Sequence, residues 1–153
     1  PFLNWRQEPV EYLQHILGER MDRLIPLKSM LDKGLLIAGG SDAPCTLPDP
    51  IAAIHAACNH PKEDESVSVL DALKMHTSWS AKLSFDENKR GTLSVGKAAD
   101  FVVLDKNPLN TPKEKIGDLN IKEVYFKGSV YSDDSSRSTL RFFIDSLLNT
   151  YPG

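Results

Sequence analysis

Apolar residues recur at the three- and four-residue spacing of an amphipathic helix in five segments of the chain. They predict helices over residues 8–18, about 26–33, 49–58, 68–83 and 140–148. The flanking residues agree with these boundaries. Pro9 and Pro50 suit first helical positions, where a missing N–H costs nothing, and Asp49 and Ser68 can cap the helices that follow them. Gly18 and Gly34 can adopt the left-handed conformation that ends a helix.

Shorter apolar runs predict β-strands. Leu35-Leu36-Ile37-Ala38 is continuous, which is typical of a strand covered on both faces in a parallel sheet. After residue 90 the period changes, and strands are predicted over residues 92–95, 101–104, 121–126 and 129–131, the last two joined by a turn at Lys127-Gly128. The organisation therefore shifts from α/β before residue 90 to strands and a closing helix after it.

Composition narrows the class of protein. The chain has 153 residues, 41% hydrophobic and 25% charged, which is ordinary for a globular domain or part of one. A net charge of −3 argues against nucleic-acid and anionic-membrane partners, and no apolar run approaches the ~18 residues of a membrane span. Two cysteines are too few for a disulfide scaffold and predict a reducing cytoplasm. Because the chain begins at Pro1 rather than Met, we expect a natural, engineered or proteolytic piece of a longer polypeptide.

Asp42 is the candidate catalytic residue and metal ligand. It follows the predicted strand 35–38 and the pair Gly39-Gly40, which would let the backbone turn sharply. A carboxylate at this place lies at the carboxyl end of a parallel sheet, the face that carries catalytic groups in (β/α)₈ barrels. It can bind a divalent metal or accept a proton from a metal-bound water. The alternative, that Asp42 serves only as a turn residue before Pro44, stays open.

The histidines give a weaker signal. No two of them have the spacing that places both rings on one metal, which predicts packed or surface side chains for all four: His15, His55, His60 and His76. A zinc site built from His55, Cys58 and His60 with Cys45 is the alternative. The five-residue separation of His55 and His60 counts against it, since the two side chains would face different sides of a helix.

Two runs of the sequence resemble the amidohydrolase superfamily. Residues 34–44 (GLLIAGGSDAP) are similar to its last barrel strand, and residues 91–105 (GTLSVGKAADFVVLD) to its return into a small β-sandwich. Residues 68–81 resemble the helix that links these parts, and residues 124–131 the final sandwich hairpin. The resemblance covers roughly residues 8–131, and its nearest branch contains N-substituted formamide deformylases.

This resemblance implies an α/β fold made of the last βα units of a (β/α)₈ metal-dependent hydrolase barrel. Residues 1–90 would be the C-terminal part of the barrel, residues 91–131 the C-terminal strands of the sandwich, and residues 132–153 a polar tail and closing helix. The implied activity is hydrolysis of a non-peptide C–N bond in a small-molecule substrate by metal-activated water. Asp42 would be both metal ligand and proton shuttle, and the expected divalent metal of the full-length enzyme is zinc.

The sequence also departs from the family. Its His-x-His motif, its bridging carboxylated lysine and its two later histidines have no counterpart here, and a full barrel needs about 250 residues. We therefore expect a C-terminal fragment that binds no metal and is inactive alone. The alternative is a non-enzymatic assembly module. Either way, a truncated barrel would leave the apolar faces of residues 35–38, 51–58 and 140–148 uncovered, and such faces favour self-association.

Overall fold

The computed structural model describes residues 9–43, 46 and 48–131. Along the chain these form five α-helices followed by three strands: α1 Val10–Leu17, α2 Leu27–Asp32, α3 Pro50–Cys58, α4 Val69–Met75, α5 Ser78–Leu83, β1 Phe101–Leu104, β2 Ile121–Phe126 and β3 Ser129–Val130. Short 3₁₀ helices lie between them at Gly18–Arg23, Glu63–Glu65, Pro108–Asn110 and Lys113–Asp118. The predicted helix over residues 140–148 lies outside the described residues. None of the helices in the described residues combines the length and the apolar character that a membrane span needs.

Helix α3 is the centre of the hydrophobic core. Asp49 caps it as predicted, since its carboxylate accepts a hydrogen bond of 2.9 Å from the amide of Ala52. Nearly every later residue of the helix is buried: Ala52, Ala53, Ile54, Ala56, Ala57 and Cys58. The small alanines let the 3₁₀ helix Lys113–Asp118 pack close, with Ile116 fully buried in the same cluster. The prediction that residues 51–58 present an uncovered face is therefore wrong.

The predicted helix over 68–83 is two helices. Ser68 caps α4 as expected, because its hydroxyl oxygen accepts a 3.0 Å hydrogen bond from the amide of Asp71. The helix then breaks at Thr77, whose φ of −133° and ψ of −98° are not helical. Thr77 Oγ1 donates to the carbonyl of Leu73 at 2.8 Å and so satisfies part of the exposed helix end. The break leaves the carbonyl of Met75 available to residues outside α4.

The three strands form one antiparallel sheet in the order β1-β2-β3. Phe101 lies opposite Tyr125, and their rings stack with centroids 4.3 Å apart. The predicted hairpin between β2 and β3 is confirmed. Its two turn residues, Lys127 and Gly128, both have positive φ (51° and 80°), as a type I′ turn requires.

Two predicted strands are absent from the described part of the chain. A strand is stabilised by the ladder it shares with a neighbour, and no described strand lies beside residues 35–38 or 92–95. Residues 35–38 are instead joined to helix α2, since the amide of Leu35 donates a 3.1 Å hydrogen bond to the carbonyl of Met30. The second run closes into a turn through a 3.1 Å hydrogen bond from Lys97 N to Ser94 O. The described residues therefore contain no parallel strand pair.

A buried carboxylate joins α2 to the 3₁₀ helix Glu63–Glu65. Glu65 is only 6% exposed, and its Oε2 accepts a 2.9 Å hydrogen bond from the amide of Ser29 in the first turn of α2. Its Oε1 accepts from the Ser29 hydroxyl. These two bonds hold the pKa of the Glu65 carboxyl below its usual value of 4.5. Glu65 thus caps α2 from 36 residues away in the sequence.

We expect Glu65→Gln to lower the free energy of unfolding by about 1–2 kcal/mol at pH 7, because charge-assisted bonds become neutral ones. A lowered native pKa means that the unfolded chain binds the proton first as pH falls. The stabilisation is therefore present above pH 4.5 and lost below it, as the native carboxyl titrates. Urea denaturation at pH 7 and in steps below pH 4.5 measures both effects. Glu63→Gln, at a carboxylate that is 90% exposed, is the control. A difference that did not shrink on acidification would contradict the assignment.

Candidate active-site loop

Asp42 lies on an exposed loop that follows residues 35–38. Its φ of 57° places it in the left-handed region, which aspartate tolerates better than most residues. Gly39 and Gly40 do not have positive φ. The left-handed residue of this loop is therefore Asp42 and neither of the two glycines at which a sharp turn was predicted.

Gly39 has a different role, which is to allow the close approach of His76. A Cβ added at Gly39 would lie 2.4 Å from both Cε1 and Nε2 of the His76 ring, a distance that real side chains do not adopt. The Gly39 amide also donates a 2.8 Å hydrogen bond to the carbonyl of Met75, the carbonyl that the break after α4 leaves available. The end of α4 therefore packs directly against the start of the Asp42 loop.

His76 lies next to this loop and also lines a cavity. Burial lowers the pKa of His76 below its usual value of 6.5, which favours the neutral imidazole at neutral pH. The ring also lines an apolar cavity of about 730 Å³ whose walls include α5 and the sheet residues Phe101 and Val124. Sequence spacing does not indicate the contact between Gly39 and His76, because the two residues lie far apart in the chain.

The other side of the loop is fixed by Thr46. This residue is buried, and its hydroxyl donates to the carbonyl of Ser41. The amide of Ala43 donates to Ser41 Oγ at 3.3 Å. Contacts on both sides of Asp42 thus constrain the backbone, while the Asp42 side chain stays exposed to solvent.

The described residues do not provide the donor set of a metal site. A zinc site takes three or four protein ligands, whereas no three side chains of His, Cys, Asp or Glu converge anywhere in residues 9–43, 46 and 48–131. Asp42 offers one carboxylate. It can act as one donor or as a proton acceptor.

The alternative zinc site does not assemble around Cys58. That thiol is fully buried, and burial raises its pKa to about 11, which opposes the thiolate form that binds zinc. His60 Nε2 lies 3.2 Å from the carbonyl oxygen of Leu24, and His55 Nε2 lies 3.2 Å from that of Glu114. Both rings are thus engaged with backbone groups in separate surroundings. Cys45 lies outside the described residues.

Comparison with known proteins identifies the relatives of this chain. Residues 8–131 match the model of the Amidohydrolase family. The chain is 33% identical to YtcJ of Bacillus subtilis (strain 168), which is named as an amidohydrolase, over 76% of this chain and 24% of that protein. It is 31% identical to the N-substituted formamide deformylase of Arthrobacter pascens, over 83% of this chain and 23% of that protein.

A solved structure agrees with these matches. The amidohydrolase from Thermotoga maritima MSB8 superposes with a TM-score of 0.53 at 25% identity, over 69% of this chain and 26% of that one. The chain thus spans about a quarter of the length of the relatives it matches.

Proposed function

Because the chain belongs to the amidohydrolase family, we propose that it is the C-terminal portion of a hydrolase that cleaves a non-peptide carbon–nitrogen bond in a small-molecule substrate. The observation that carries this proposal is the family match over residues 8–131, which contains the fixed loop bearing Asp42. The share of the relatives that the chain covers, 24% and 23%, is consistent with the remaining catalytic groups lying in other residues.

In this proposal Asp42 carries the proton. Its exposed carboxylate accepts a proton from the attacking water as the new carbon–oxygen bond forms. It then delivers that proton to the nitrogen as the carbon–nitrogen bond breaks, so the carboxylate is regenerated and no charge is left over. A divalent metal, zinc in our expectation, belongs to the full-length enzyme, where Asp42 would be one of its ligands. The described residues do not fit a metal on their own.

The domain layout extends the same proposal. We propose that residues 1–90 complete a barrel and residues 91–131 a β-sandwich that other residues contribute to. The concentration of α-helices before residue 90 and the antiparallel sheet after residue 100 support this division. The two-cysteine composition supports a reducing cytoplasm as the location.

We expect the purified 153-residue chain to bind no zinc tightly in a calorimetric titration, because it offers too few donors. We also expect it to hydrolyse no N-substituted formamide, with or without zinc.

In contrast, a chimera in which residues 8–131 replace the matching segment of the Arthrobacter pascens enzyme should have deformylase activity. Stoichiometric zinc binding abolished by Asp42→Ala, or turnover by the chain alone, would contradict the fragment interpretation.

A folded but inactive chimera would contradict the proposed hydrolase and favour the second candidate, a self-associating module. The observation behind that candidate is the exposed apolar surface on the two outer strands, where Val102 is 49% and Val130 58% exposed. Open strand edges pair readily with other chains. Circular dichroism and light scattering on the chimera establish whether it is folded and of the same size as the parent enzyme.

A further inference from the structure

We propose that His76 is a positioning residue for Asp42, and that its ring sets where the Gly39–Asp42 loop leaves the helical part of the protein. This inference rests on the proposed function, in which Asp42 is the reacting group. Met75, the neighbour of His76, contributes the hydrogen bond that holds Gly39 in place.

The contact is specific to one position of the loop. A Cβ at Gly39 would overlap the His76 ring, with Cε1, Nε2 and Cδ2 at 2.4, 2.4 and 2.9 Å, whereas a Cβ at Gly40 would meet nothing within 4 Å. Gly39 therefore touches the ring with its backbone, and Gly40 is free of such contact. Three residues later the chain reaches Asp42, so a displacement at Gly39 is carried to the carboxylate over a short length of backbone.

The backbone of His76 is held in place. His76 directly follows α4, and its amide donates a 3.1 Å hydrogen bond to the carbonyl of Leu73. Because burial favours the uncharged imidazole, the ring meets Gly39 as a spacer of fixed width rather than as a charge. The loop is thus supported by His76 and Met75 before Asp42 and by Thr46 after it.

The test is a double-mutant cycle on the full chain, read out by amide hydrogen exchange of residues 39–42. We expect Gly39→Ala to speed exchange of the residue-39 amide about tenfold, because the new methyl group pushes the loop from the ring. Adding His76→Ala should restore exchange to within about threefold, because the shortened side chain makes room. Gly40→Ala is the matched control and should leave exchange unchanged.

A second pair of variants covers the case in which Gly39→Ala does not fold. His76→Ala alone should speed exchange of the Gly39 amide about tenfold, and His76→Phe, which keeps a flat ring, should stay within about twofold of the wild type. In the chimera, Gly39→Ala should lower kcat about 100-fold with little change in KM, and His76→Ala should recover part of that loss.

The inference is overturned if Gly39→Ala and Gly40→Ala have equal effects, or if His76→Ala gives no rescue. A general loss of stability would lower the protection of all amides and show no rescue at residue 39. Since exchange needs no activity, these results stand apart from the proposed function, which fails only if the chimera is inactive or Asp42 is dispensable.

Discussion

Asp42→Asn is expected to lower kcat/KM of the chimera by about 10²–10⁴-fold, the usual contribution of a positioned proton carrier. The substitution keeps the size of the side chain but removes its ability to accept and return a proton. Asparagine also tolerates the left-handed region well, so the backbone at φ 57° is preserved. We expect the loss mainly in kcat, because the proton moves in the transition state.

The same variant decides between the two interpretations of Asp42. If the residue serves only as a turn residue, asparagine makes the turn equally well and activity stays within about threefold of the parent chimera. Asp64→Asn, at an exposed carboxylate in the 3₁₀ helix Glu63–Glu65, removes the same charge elsewhere and should leave kcat/KM unchanged. Steady-state kinetics on the three proteins, with equal circular dichroism spectra, provide the comparison.

Gly91→Ala is expected to lower the free energy of unfolding by about 2–5 kcal/mol, from a left-handed backbone and a steric overlap together. Gly91 has a φ of 89°, and a Cβ there would lie 2.5 Å from Cβ of Ala81 in α5. Two backbone atoms are also close, Ser78 Cα at 3.2 Å and the carbonyl oxygen of Thr77 at 3.3 Å. Backbone neighbours cannot rotate away, so the loop after α5 would have to move.

Gly96 provides the control for that prediction. It has the same φ of 89°, but a Cβ there would meet nothing within 4 Å. Gly96→Ala should therefore cost only the backbone part, about 1–2 kcal/mol. Urea denaturation of both variants separates the two terms by subtraction. Equal losses of stability in the two variants would show that the loop at Gly91 is not packed on α5. If it is packed there, adding Ala81→Gly to Gly91→Ala should recover part of the lost free energy of unfolding.

The sequence predicted those elements whose determinants are local. Asp49 with Pro50 marked the start of α3, and Lys127-Gly128 marked the hairpin, because a cap and a two-residue turn depend on adjacent residues. The break at Thr77 was missed, since residues 68–83 keep a helical apolar pattern through it. A periodic pattern records which face is buried and does not report whether the axis continues.

The surroundings of Asp42 could not be predicted from local sequence patterns for a related reason. Asp42 lies on an exposed loop, but the parallel strand expected before it is absent from the described residues. The groups that fix the loop lie at Thr46 and, far along the chain, at Met75 and His76. Gly39 looked like a turn residue because glycine usually is one. Only the three-dimensional structure shows that the missing side chain of Gly39 makes room for the ring of His76.

The alanine-lined helix at the middle of the molecule has a consequence for how this family is compared. The alanines Ala52, Ala53, Ala56 and Ala57 are buried where neighbouring elements pack on α3. A larger side chain at any of these positions would push those elements away from the helix. Substitutions tolerated there during evolution should be confined to the smallest residues. Invariant alignment positions in α3 would then reflect the limited distance between α3 and the elements packed on it. They would be a poor guide to the position of the catalytic residues.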